Sequence, residues 1–240
     1  MKNFKKQKPK VVILCGGIGS RLAEETKIRP KPMVKIGKLP ILSHIINFYV
    51  KFGYKDFILA LGYKGDYIKK KLKFDKKKIS VSFIDTGLKT LTGGRLLRLK
   101  KYLIHENYFH LTYGDGLTNQ NLKNLEKFHL SHNKIATLTA VRPPVRFGEL
   151  ELSRSTVKYF NEKIQTNKSW INGGYFIFTN KIFNFIKNDK TMLETKPLSL
   201  LTKKKQLKAF KHKGFWQCMD TMREKKMLEK LLKKRKALWL

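Results

Sequence analysis

The chain has 240 residues, 41% of them hydrophobic, which supports a substantial folded core and excludes a disordered or low-complexity polymer. Its formal net charge is +36, but 44 of the 53 basic residues are lysine, spread along the chain with short runs such as Lys69–Lys71, Lys76–Lys78, Lys203–Lys205 and Lys233–Lys236. Forked recognition of phosphates and bases favours arginine, and no run alternates with aromatics, so the charge reads as solvated lysine-rich surface rather than specific nucleic-acid binding, with a basic nucleic-acid-binding module as the alternative.

In chain order, residues 1–10 are a basic segment, and no linker divides the rest, so residues 1–240 are read as one domain. Val11–Leu14 is short, β-branched and followed by glycines, which predicts a buried strand. Too short for a signal-peptide core or a membrane span, it leaves the expectation of a cytoplasmic protein with no membrane partner. Gly16, Gly17 and Gly19 allow a turn whose N–H groups can face a ligand. Arg21 and Lys31 add two cations, and the whole reads as a cradle for a polyphosphate. A plain glycine turn is the competing reading. A P-loop is excluded because Gly-x4-Gly-Lys-Ser/Thr is absent, and the dinucleotide fingerprint because Leu22 stands where it needs glycine.

Ile41 to Phe52 has apolar residues at helical spacing and stops at Gly53. Asp56 to Leu61 predicts a second buried strand, Lys64 to Phe74 a helix, and Ile79 to Ile84 a third strand. Arg95 to Tyr102 predicts a helix behind Gly93-Gly94. Phe109 to Tyr113 is a strand that ends at Gly114-Asp115-Gly116. Asn119 to Asn133 predicts a helix, Ala136 to Val141 a strand, and Met222 to Leu232 a helix. The alternation predicts an α/β fold: a three-layer α/β/α Rossmann-like domain with a mostly parallel central sheet. Ligands of such sheets lie beyond the carboxyl ends of strands, where the glycine loop and Asp115 both fall.

Two acids have double readings. Asp115 is either a turn residue between glycines or a ligand at a strand end, and Asp220 either caps the following helix or faces a site. Cys15 and Cys218 lack the spacing of a redox or metal motif. His129 and His132 share a helical face without a third ligand beside them, which points to packing. His105, His110 and His212 are isolated.

Gly17-Ile18-Gly19-Ser20-Arg21 followed by Pro30-Lys31-Pro32-Met33 resembles the signature of the sugar-phosphate nucleotidyltransferases. Ala136–Ala140, Pro143–Gly148, Ile171–Gly174 and Phe215–Thr221 are similar to the branch that acts on glucose 1-phosphate with CTP. The resemblance spans nearly all of the chain after residue 10. It implies CTP and α-D-glucose 1-phosphate as substrates, CDP-glucose and pyrophosphate as products, Mg2+ as cofactor, and a homo-oligomer. In its site, Leu14, Cys15, Gly16, Gly17, Ile18, Gly19, Ser20 and Gly114 surround the nucleotide, and Thr90 and Arg95 close over it. Arg21 and Lys31 are the catalytic cations, which also contact the nucleotide. Asp115 and Asp220 hold the metal, and Lys163, Asn172 and Gly173 hold the sugar phosphate. Three departures stand out: Ser20 for a threonine, Ile164 for the proline after Glu162-Lys163, and a shorter stretch between Tyr67 and Asp85. UTP, dTTP or another hexose 1-phosphate remain alternatives.

Overall fold

The computed structural model describes residues 8–143, 149–161 and 169–240. Strand β1 (Val11–Leu14) is buried along its whole length. Its alternate side chains enter different cores, Val11 and Ile13 on one face and Val12 and Leu14 on the other. That is why its sequence is continuously apolar and not alternating. Helix α1 (Ile41–Lys51) buries Ile41, Leu42, Ile45, Ile46, Phe48 and Tyr49 against the first face. Strand β2 (Asp56–Leu61) repeats the two-sided burial.

Helix α2 (Gly65–Lys71) is shorter than the sequence predicts. The Asp75 side chain accepts from Lys77 N at 2.9 Å, and that local turn displaces the helix before Phe74. Strand β3 (Ser80–Asp85) follows. Helix α3 (Thr92–Arg98) begins three residues before Arg95, and a separate turn, Lys100–Leu103, continues it. Next come strand β4 (Tyr108–Tyr113), helix α4 (Leu122–Leu130) and strand β5 (Ala136–Val141). The Asn121 side chain caps α4 by accepting from Lys123 N and Asn124 N, which sets its start later than Asn119.

Two sheet strands are not among the elements predicted from sequence. Strand β6 (Ile171–Thr179) carries Gly173-Gly174 near its start, ahead of a buried Tyr175–Phe178 run, and strand β7 (Leu207–His212) carries two lysines at the sheet edge. Helix α5 (Lys196–Lys203) lies between them, and helix α6 (Met222–Lys233) follows β7.

The central sheet has seven strands in the order β7-β5-β6-β4-β1-β2-β3. Every neighbouring pair is parallel except those made by β6, which runs against both β5 and β4. Residues of α1 and α6 fill the core on one face, and residues of α3 and α5 the core on the other. The predicted three-layer, mostly parallel architecture is therefore present. The chain leaves β1 toward β2 on one side, while β4 pairs on its other side. The carboxyl ends of β1 and β4 thus frame a topological switch point, where a crevice opens. Among the described residues no helix is long and apolar enough to cross a membrane.

Candidate active site

The loop after β1 is held open by its own backbone and by one arginine. Gly19 has φ +70°, a conformation that disfavours other residues, and its carbonyl accepts from Leu22 N at 3.0 Å. Arg95 on α3 is almost wholly buried, with 4% of its surface exposed. Its guanidinium donates to the carbonyls of Leu61 at 2.9 Å, Gly87 at 2.8 Å and Gly16 at 2.9 Å, and to Thr86 Oγ1 at 2.7 Å. A Cβ on Gly16 would collide with that guanidinium. Sequence reasoning has Arg95 closing over the nucleotide. In the structure it lines the cleft and also braces the loop, because its Nη1 and Nη2 bond loop oxygens.

The two acids meet although 105 positions separate them in sequence. Gly116–Thr118 pairs antiparallel with Trp216–Cys218, with Gly116 opposite Cys218. Asp115 just before one short strand and Asp220 just after the other are thereby brought to the same end of the ribbon. Met219 N donates to the Asp115 carbonyl at 2.9 Å and fixes the junction. Thr221 caps α6 through a capping box with Glu224. Asp220 is therefore not the helix cap, and its carboxylate faces the crevice.

Lys31 lies in a single tight turn, Lys31–Met33, between Pro30 and Pro32. Its Nζ is 2.5 Å from Asp115 Oδ2 and 2.5 Å from Asp220 Oδ1. Arg21 Nη1 approaches Asp220 Oδ2 at 3.1 Å. The Lys31 side chain is 12% exposed and that of Arg21 71%, so one cation is embedded and the other reaches outward. Burial alone would weaken the Lys31 ammonium, but Asp115 and Asp220 outweigh it and raise its pKa. Burial likewise works against the Asp220 carboxylate, and Lys31 and Arg21 reverse it, holding its pKa below the usual range.

This donor set fits a divalent cation. Two carboxylates already converge on one positive atom, and Mg2+ is commonly held by one or two carboxylates plus substrate phosphates. Cys218, Asp220 and Glu224 also lie close together. They fit less well, because burial and the neighbouring acids push the Cys218 thiol up to about 12. Glu224 also accepts from the Asp220 and Thr221 amides.

A cleft of about 390 Å³ opens over these groups. It is lined by Leu14 to Ser20 except Ile18, and by Arg21, Lys31, Thr90, Arg95 and Gly114. Ile18 is 58% exposed and does not line it. A second cavity of about 240 Å³ holds Asn172 and Gly173, and shares Arg21, Asp115 and Asp220 with the first. There Trp216 Nε1 donates to the Gly173 carbonyl at 2.7 Å, and Asn172 Oδ1 accepts from Gly174 N at 2.9 Å. Lys163 and Glu162 lie outside the described residues, as does most of the Pro143–Gly148 stretch.

Sequence reasoning missed Tyr113, Thr92, Met192 and Glu194, which also line the larger cleft. Met192 and Glu194 arrive on a segment that lies across the start of α3. Leu91 N donates to the Asp189 carbonyl at 2.9 Å, and Gly94 N to the Thr191 carbonyl at 3.1 Å. No local motif announces that long-range docking. Gly93-Gly94 is the visible trace of it, because a Cβ at either position would collide with the Asp189–Thr191 backbone.

Comparison with known proteins agrees with this geometry. A nucleotidyl transferase family model matches residues 10–227. A glucose-1-phosphate cytidylyltransferase of Salmonella typhi is 42% identical over 252 aligned positions, covering 96% of this chain and 98% of that protein. A probable glucose-1-phosphate cytidylyltransferase of Bacillus subtilis is 37% identical with the same coverage. Among solved structures, HddC from Yersinia pseudotuberculosis in complex with GMP-PN is 27% identical, with a TM-score of 0.72, covering 94% of this chain and 100% of that chain.

Proposed function

Since the chain belongs to the nucleotidyl transferase family, we propose that it transfers a cytidylyl group from CTP to α-D-glucose 1-phosphate, forming CDP-glucose and pyrophosphate. The observation that carries the reaction type is the convergence of Lys31, Asp115 and Asp220 beside the glycine loop. The choice of base and sugar rests on the relatives.

The sugar phosphate is its own nucleophile. Its second pKa is about 6, so at neutral pH it is largely dianionic and needs no general base. One of its oxygens forms a bond to the α-phosphorus while the bond to the β-phosphate oxygen breaks, and pyrophosphate leaves with that electron pair. The task is to align two polyanions and to offset the charge that develops between them. The loop amides and Arg21 meet the triphosphate. Lys31 sits where it can pass from the acids to the α-phosphate oxygens. Asp115 and Asp220 would hold Mg2+, which supplies charge neutralisation on the phosphates when bound. Arg95 keeps the loop carbonyls turned away from the incoming anion. Asn172 and Gly173 take the sugar phosphate on the side of the smaller cavity, and the family resemblance assigns Lys163 to the same phosphate.

Incubation with CTP, glucose 1-phosphate and Mg2+, followed by mass spectrometry, tests the reading. CDP-glucose and an equal amount of pyrophosphate are expected. Their absence at high enzyme concentration would refute the assignment.

A further inference from the structure

The nucleotide cleft contains a third carboxylate that the proposed chemistry does not use. Glu194 lines it, half-buried, on the segment that crosses the start of α3. Its Oε2 accepts from Thr92 Oγ1 at 2.6 Å, and its Oε1 accepts from the Tyr113 hydroxyl. Burial, and next the Glu194 charge, push the Tyr113 phenol up, so it remains a donor. Among the described residues no lysine or arginine pairs with Glu194, whereas Asp115 and Asp220 both hold Lys31.

Among the described residues this carboxylate is thus fixed by two neutral donors and has no cationic partner. Such a group repels phosphate oxygens, so the triphosphate is excluded from its vicinity and directed past Lys31 and Arg21. What remains to be placed near Glu194 is a part of the substrates that is neutral and rich in donors. A carboxylate has about four lone-pair positions, of which the two hydroxyls occupy two. Its free positions suit hydroxyl groups, which form short, strong bonds to an ionised acceptor.

We propose that Glu194 is a substrate-binding residue that accepts sugar hydroxyls, either from the ribose of the nucleotide or from the hexose of the sugar phosphate. Thr92 and Tyr113 are its positioning residues: they aim the carboxylate and leave its remaining lone pairs to the cleft. The inference rests on the nucleotidyl-transfer reading above. It adds a specificity element that no sequence motif marks.

Calorimetric binding to the wild type and to Glu194→Gln provides the test, without turnover. One arm compares CTP with its monodeoxy forms. The other compares glucose 1-phosphate with its monodeoxy analogues, with a non-reactive CTP analogue present. In one arm the wild type should prefer a hydroxyl-bearing ligand over its deoxy form by about tenfold to a hundredfold, the usual effect of a hydrogen bond to a charged group. Glu194→Gln should shrink that ratio to about threefold or less, and the arm that responds identifies the sugar. Two results overturn the proposal: no wild-type preference in either arm, or a variant that weakens hydroxyl and deoxy ligands equally. The second would make Glu194 a brace only. Wild-type protein that binds neither substrate sinks this inference and the transferase reading together. Binding with the expected discrimination but no CDP-glucose would sink only the latter.

Discussion

Lys31 Nζ lies 2.5 Å from each of two acids whose other neighbours include Arg21, and prolines on both sides restrict its backbone. A preorganised cation at a site of developing phosphate charge is typically worth ~3 kcal/mol, so Lys31→Ala should lower kcat about a hundredfold. Near wild-type turnover by the folded variant would remove Lys31 from the chemistry. Asp115→Asn and Asp220→Asn should each raise the Mg2+ concentration needed for half-maximal rate. The double variant should be less than additive, since residues acting as one unit do not add. An unchanged Mg2+ midpoint in both single variants would contradict a shared ion. At this scale most of the cleft was legible in the sequence, because glycines, a proline-bracketed lysine and acids at strand ends are each chemically distinctive. Glu194 was not legible, because its meaning depends on Tyr113 and Thr92, residues far from it in sequence.

Helix α3 acts through Arg95, whose guanidinium ties the ends of β1, β2 and β3 by bonding the Gly16, Leu61, Thr86 and Gly87 oxygens. Arg95→Met would leave buried carbonyls without donors. Charged hydrogen bonds contribute about 1.5–3 kcal/mol each and are not additive, so a loss of about 3 kcal/mol in stability is expected. A raised KM for nucleotide should accompany it as the glycine loop loosens. Denaturant melts of the variant decide the matter: unchanged stability with a large KM effect would favour a direct phosphate contact after all. Element existence was readable for β1, β2 and α1, where two-sided burial or a helical stripe imposes a pattern. It was not read for β6 and β7. In β6 the Gly173-Gly174 pair, which suits the bulged crossing beside Trp216, obscures the start of a strand whose Tyr175–Phe178 run is fully buried; in β7 the edge position leaves Lys208, Ala209 and Lys211 to solvent, so no buried-strand pattern appears there.

The whole molecule carries two large-scale electrostatic features, its +36 charge and a set of buried neutral histidines. His110 is fully buried with Nε2 2.9 Å from the Tyr54 hydroxyl, and burial pushes its pKa down to about 3. His129 meets Thr137 Oγ1 at 2.8 Å and is pushed down to about 4, chiefly by burial and then by His132. The unfolded value is about 6.5, so below that pH the unfolded chain takes up protons that the folded chain refuses. Stability contributed by these neutral rings is therefore present above about pH 6.5 and lost as pH falls toward their folded values. Each histidine can remove up to about 1.4 kcal/mol per pH unit within the window. Urea midpoints should fall steadily from pH about 7 to about 5, and His129→Gln should flatten the slope. A flat profile over that range would contradict the burial argument.

At the same scale, the fold and the coincidence of loop, lysine and acid pair make the chain a nucleotidyl transferase. On the proposed reading it is a cytidylyl enzyme that acts on glucose 1-phosphate. The most direct measurement is kcat/KM for CTP, UTP, dTTP, ATP and GTP with glucose 1-phosphate held constant, read by pyrophosphate release. A buried hydrogen-bond partner left unpaired by the wrong base costs ~1–3 kcal/mol, so CTP should lead by about tenfold to a hundredfold. A higher value for any other nucleotide would contradict the cytidylyl assignment.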